Sequence, residues 1–435
     1  MNAMSSSQQW LRAPATRLFL LGLLAMTFSF DTELIGGIVS VGIPFFLAGG
    51  LLAVLEVPYV SGKYAKYLLP ALVYLASIVS SMWFLSDNLL APAVRVGAQV
   101  LGFILYLYIL RTLQSEGSEG RVARAWTDGL ALSGCILSLH YLGNIAVLVT
   151  EGRIGEAIYQ RYVGGLMSLT WGASNTIASA LLMPLVASLV ALTSFGKRTW
   201  LMWLPPVVIM ACILATMSRG ALAALTVAAA MYIVMGRHFK ALLVGAAWLA
   251  VICGAMIWFI GAEDAWKYLE LRQGVGNGVG DFNGRMDIWT DVWPLIQSES
   301  PAPIGFYGSL ERLGHSPHNL ILVYLLEIGV WGLAAFIWLN GAAIMGILGQ
   351  RARRKARGVK SATSDLFFCG MIAILLHLMV EDAQYAQVHA MFYWAFMALV
   401  THHSICRPRG VGATASMPKP GGFSAGKKAA WQPST

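Results

Sequence analysis

Charge is scarce in this sequence: Asp, Glu, Lys and Arg make up 12% of its 435 residues, about half the share of an ordinary soluble domain, while 57% are apolar. So little polar surface cannot cover so much apolar side chain, and a water-soluble globular protein is excluded. Cysteine is equally sparse. Cys135, Cys212, Cys253, Cys369 and Cys406 lie far apart and four of them sit in apolar runs. Neither a zinc knuckle nor a disulfide framework is legible in that spacing, which leaves small apolar packing as their role. The net charge of +9 would suit nucleic acid only if the basic residues gathered on a soluble face. They are spread instead through short spacers between apolar runs, so no nucleic-acid partner is expected. No internal repeat is found.

What the sequence does hold is apolar runs, at 18–30, 35–55, 66–85, 92–110, 126–149, 174–194, 199–217, 220–236, 239–261, 318–348, 364–380 and 388–403. A membrane-crossing helix takes about 20 apolar residues. The expected fold is therefore an all-α integral membrane protein of about twelve transmembrane helices. The first run follows Arg12 and Arg17 but lacks a small-x-small cleavage site before Asp31, and reads as an uncleaved helix. Residues 1–403 form the expected membrane domain. The tail, 404–435, is rich in Pro, Gly, Ser and Lys and reads as disordered. With the N-terminus placed in the cytoplasm, 22 Lys and Arg fall inside against 8 outside, an orientation with both termini cytoplasmic. Two outside loops are long enough for chemistry, 151–173 and 261–317. The second carries Trp266, Trp289 and Trp293, with Asp287 and Asp291 one helical turn apart. One or two short amphipathic helices lying on the membrane as an active-site cap are expected there.

Several groups carry candidate chemistry. The run Gly274 to Gly280 lacks the Gly-Lys-Ser/Thr ending of a phosphate loop and reads as a hinge. Asp287 and Asp291 read as a solvated helix face rather than a metal pair. Arg161, Arg219 and Arg285 follow the fifth, seventh and ninth runs and emerge on the same outer side. Arg219 alone could be snorkelling to headgroups. Three guanidiniums together suit a diphosphate, whose oxygens they bind bidentately. In Gly314-His315-Ser316-Pro317-His318-Asn319, Ser316 reads as a helix N-cap and Pro317 as the first helical residue. His318 then falls in the first turn, where the helix end attracts a phosphate or a developing oxyanion. His315 reads as a loop residue or interfacial donor, with substrate contact the alternative. Glu327 lies nine positions on, about 900° of helical rotation, and is expected to pair with a polar residue of a neighbouring helix. His377 and Glu381, one turn apart, form with Asp382 an interfacial pair or line the outer cavity. Pro184 and the pair Pro205-Pro206 mark places where spans could bend to open a lipid groove.

His318-Asn319, a nine-residue spacer, Gly329 and then Gly332 make a pattern that resembles the O-antigen ligase family, the related O-antigen polymerases and protein O-oligosaccharyltransferases. The Ser218-Arg219-Gly220 turn, Gly284-Arg285 ahead of Trp289, and Arg161 with Gly164 and Asn175 agree with it. The motifs amount to about ten residues. The resemblance implies a glycosyltransferase-C-like helical fold in the bacterial inner membrane, with a periplasmic active site and no metal or other cofactor. It further implies a glycan on undecaprenyl diphosphate as donor, lipid A-core or another glycan as acceptor, and inversion at the anomeric carbon. On this reading His318 is catalytic, Arg161, Arg219 and Arg285 bind diphosphate, and His315 and Asn319 are candidate substrate contacts. A polymerase of the same superfamily is the nearest alternative. A flippase or transporter is the more distant one, because such proteins place polar groups near the midplane in repeated halves, whereas here they concentrate in an outer loop.

Overall fold

The computed structural model describes residues 13–32, 37–56, 60–84, 90–115, 120–153, 174–194, 200–216, 218–236, 285–299, 303–314, 316–358, 362–381 and 383–405, together with 247, 250, 251, 254, 258, 261, 263 and 266. Its helices are α1 Pro14–Ala25, α2 Gly42–Glu56, α3 Ala65–Ser81, α4 Leu90–Ser115, α5 Arg121–Thr150, α6 Ser174–Ser194, α7 Leu204–Ala215, α8 Arg219–Gly236, α9 Arg285–Glu299, α10 Gly308–Leu313, α11 Leu320–Glu327, α12 Gly329–Ala356, α13 Ala362–Leu378 and α14 Gln387–Ile405. Among the described residues six helical stretches are long and apolar enough to cross a membrane: Gly62–Phe84, Pro92–Gln114, Arg121–Leu148, Asn175–Ser194, Arg219–Gly236 and Gly329–Ala356. Apolar side chains also point away from the bundle, as Leu51 and Trp331 do at 73% and 74% exposure. A helix apolar all round finds a partner on its outer side only in lipid.

Every expected apolar run coincides with a helix except 239–261, most of which lies outside the described residues. Three expectations need correction. Between the first two helices the chain forms an antiparallel hairpin, β1 Ser29–Thr32 with β2 Gly37–Ser40, so the fold is not wholly α. The tenth run is two helices, broken at Gly329, whose φ of 72° is a left-handed value that costs glycine nothing. Pro205-Pro206 does not bend a span: Pro206 lies in the first turn of α7, where the missing N–H has no intrahelical partner in any case. Pro184 does lie inside α6, and packs on Gly134 of α5, where a side chain would collide with the proline ring.

The core is organised around α14. Nearly every residue of this helix is buried, wedged against α4, α6 and α12. Trp394 sits at its middle, donating from Nε1 to Gln99 Oε1 at 3.0 Å and lying directly over Gly102. Small residues let helices approach closely, and a buried indole needs an acceptor.

Cross-helix hydrogen bonds sort the helix ends into two sets. One set joins Tyr64 to His402, Ser61 to Gln114, Ser194 to Thr363, Arg351 to Asp365 and to the Met235 carbonyl, and Ser364 to His403. The other joins Ser81 to Phe306, Arg95 to Tyr307, Gln99 to Gln384, Thr176 to Glu381, Ser218 to His377 and Ser40 to Gln387. Arg121, Arg124 and the basic run from Arg351 lie at the first end. Arg219 and the turn carrying His318 lie with the second set.

Candidate functional site

The segment from Pro303 to Gly329 is a helical hairpin. α10 ends in Gly314 at φ 72°, a left-handed C-cap, and the chain turns through Ser316, Pro317 and His318 into α11. The helix starts later than the sequence suggests. Its N-cap is Asn319, whose Oδ1 accepts from the backbone N–H groups of Ile321 at 3.0 Å and Leu322 at 3.2 Å. Ser316 instead takes the His318 N–H at 3.4 Å, and Pro317 precedes the helix. The reason is His318 itself. Its φ of 51° is left-handed, a conformation no helix interior allows. Among the described residues only His318 and Tyr307 are non-glycine residues with positive φ, and each stands just before one helix of this hairpin. Backbone strain of this kind costs on the order of 1–3 kcal/mol and gathers at functional sites.

Glu327 closes the open end of the hairpin. Fully buried, its carboxylate accepts from the backbone N–H of Tyr307 at 2.9 Å, that of Ser309 at 3.1 Å and the Ser309 hydroxyl at 2.5 Å. It thus meets a polar residue of a neighbouring helix, Ser309 of α10, together with the backbone of Tyr307 just before it. The Ile304 N–H bonds the Leu326 carbonyl at 2.8 Å, and the Phe306 N–H bonds Ser81 Oγ at 3.0 Å. The Arg95 guanidinium lies 3.8 Å over the Tyr307 ring. Sequence reading gave Arg95 no role. An arginine near a helix start opposite a loop tyrosine was the available signal.

α9 docks on the same hairpin. Its Val292 and Ile296 pack with Ile304, Leu322, Leu325 and Leu326, and the Trp289 indole donates to the Pro317 carbonyl at 2.8 Å, next to His318. Asp287 and Asp291 are exposed. Arg285 is the first residue of this helix, one turn before Trp289. Its side chain, all of Arg161, His315 and Asp382, and the glycine run 274–280 lie outside the described residues.

Arg219 opens α8 and is exposed. Ser218 prepares the turn: its Oγ accepts from the Ala221 N–H at 3.4 Å and lies 3.3 Å from His377 Nε2. Gly220 lets the helix start press on the chain after α13, since a Cβ there would come within 2.6 Å of Val380 Cγ2. In Ser-Arg-Gly the serine therefore caps the turn, the arginine is the cation it presents, and the glycine permits the close contact. Glu381 lies beyond the end of α13 and accepts from Thr176 Oγ1 at 3.3 Å. The same segment, 379–386, carries Tyr385, whose ring packs on Phe306 and Tyr307. The Arg219 turn and the hairpin thus flank one connector. Below it, Tyr74, Gln99, Tyr324, Gln384, His389 and Tyr393 line a cavity with room for about one water, too small for a sugar.

Long apolar helices, a bundle with two distinct ends and a strained histidine turn beside a tryptophan-bearing helix define a helical membrane protein with a candidate catalytic face. Residues 204–337 match the family model described as O-antigen ligase, so the chain carries the domain of the O-antigen ligase family. The matched stretch supports a place in the O-antigen ligase and polymerase superfamily of membrane glycosyltransferases. The match runs from α7 into α12 and takes in Arg219, Arg285, His318 and Gly332. Comparison with curated proteins found no match.

Proposed function

We propose that the protein is an O-antigen ligase, transferring a glycan from undecaprenyl diphosphate to a hydroxyl of lipid A-core at the periplasmic face of the inner membrane. The observation that carries this reading is the domain match over residues 204–337, joined to the hairpin that holds His318 against the helix led by Arg285. The acceptor oxygen attacks the anomeric carbon, the bond from that carbon to the phosphate oxygen breaks, and configuration inverts. His318 takes the hydroxyl proton, a step worth about 10²- to 10⁴-fold. Arg219 and Arg285, with Arg161, neutralise the departing diphosphate, as charge developing in a transition state requires. Asn319 caps α11 through its Oδ1 and contacts substrate through its Nδ2.

The test is transfer from purified lipid-linked glycan to purified lipid A-core. His318→Asn is the informative variant, since Asn tolerates left-handed φ while removing the imidazole. Transfer is expected to fall by about 10²-fold or more with the folded yield unchanged. Full activity in His318→Asn and in Arg219→Ala would overturn the site. The spacing around His318 favours ligase over polymerase. A deletion strain separates them: a ligase leaves lipid-linked polymer accumulating, a polymerase leaves single repeats on the core.

A further inference from the structure

Glu327 stands roughly 12 Å along α11 from the histidine turn, given 1.5 Å of rise per residue over eight residues. It cannot touch the atoms His318 serves, yet it is bound into the hairpin more heavily than any surface carboxylate needs. Its two oxygens take three donors from Tyr307 and Ser309, where α10 begins, and the Tyr385 hydroxyl of the connector is a further side-chain partner. One of those donors is the N–H of Tyr307, held at φ 77°. The other non-glycine residue with positive φ among the described residues is His318. α10 is only six residues long, so its placement at one end sets the Gly314 to Asn319 turn at the other. The base of the hairpin is fixed in turn to the bundle through Phe306 on Ser81 and Arg95 on Tyr307.

We propose that Glu327 is a positioning residue for transfer: as a pure acceptor it clamps the start of α10 to the end of α11 and so fixes the turn that presents His318. This rests on the assignment of His318 made above. The chemistry is specific, because a carboxylate offers two acceptor oxygens whereas a carboxamide of nearly the same volume turns one of them into an NH₂ donor. In Glu327→Gln that donor faces either the Tyr307 N–H or the Ser309 N–H and hydroxyl, and the clamp opens on that side.

The experiment compares full-length wild type, Glu327→Gln, Ser309→Ala and His318→Asn in nanodiscs, reading kcat, KM and amide hydrogen exchange. For Glu327→Gln the expected result is a fall in kcat of roughly 10- to 100-fold per folded molecule, the scale of a misplaced catalytic group. KM for the lipid-linked donor should stay within about twofold. Faster exchange should be confined to 304–319, whereas a merely structural lesion would spread it through α11 and α12. Ser309→Ala, which removes one donor and no charge, should give a smaller loss of kcat with the same localised exchange, and it decides the matter if Glu327→Gln fails to fold. Wild-type kcat in Glu327→Gln, or in Ser309→Ala where only that variant folds, overturns the positioning role while an inactive His318→Asn leaves the site standing. An active His318→Asn overturns the site itself.

Discussion

Asn319 and Ser316 stand three positions apart, and both are good helix caps by residue type. Local sequence therefore offers two starts for α11, and the Pro after Ser316 favours the earlier one. The later start wins because Trp289 holds the Pro317 carbonyl and His318 adopts a left-handed φ, neither of which the short-range pattern contains. Asn319 consequently serves the backbone. Asn319→Ala should lower the unfolding free energy by about 1 kcal/mol through loss of the cap, and Asn319→Asp or Asn319→Ser should restore most of it. Thermal unfolding in detergent measures this. A variant Asn319→Asp that is stable yet inactive would support the substrate contact through Nδ2, and a fully active one would overturn it. Gly329, legible as a motif position, proves to need its residue type for a different reason, its φ of 72° at the break between α11 and α12.

At the level of elements, the contact between the start of α8 and the chain after α13 is as tight as a glycine permits. Val380 is β-branched and stiff at χ1, so it cannot swing clear of an added Cβ. Gly220→Ala should cost about 1–3 kcal/mol by overpacking and should reduce transfer, because the same turn presents Arg219. Pairing it with Val380→Ala should recover both, and a double-mutant cycle on melting and activity reads the coupling. No coupling would place Arg219 independently of that contact. Sequence parity put Arg219 and His318 on one side, and the hydrogen-bonded ends agree. The connector between them, 379–386, was not legible, because its contacts are with residues about 80 to 280 positions earlier in the chain.

The whole molecule has one end where basic residues cluster and another where the histidine turn, the Arg219 turn and the hairpin meet. The positive-inside bias predicts that the second end faces the periplasm. Trp83, at 91% exposure, follows α3 at that end, and Arg357, exposed, follows α12 at the other. In cells with a permeable outer membrane, Trp83→Cys should react with a membrane-impermeant maleimide, and Arg357→Cys only after the inner membrane is opened. The reverse pattern would put the candidate site in the cytoplasm, where lipid A-core on the periplasmic leaflet is out of reach.

Composition and charge bias alone determined that this chain is a helical membrane protein, where most of its helices lie and which helix ends share a side. Those properties are sums over many residues, each contributing a similar transfer free energy whatever its neighbours, so no single contact can reverse them. Only the tertiary structure decided where α11 begins, which groups Glu327 serves, and why Gly220 and Gly329 must be glycine. Each of these depends on a few hydrogen bonds or on a gap of a few tenths of an ångström. Such terms are settled when distant segments pack, and not before.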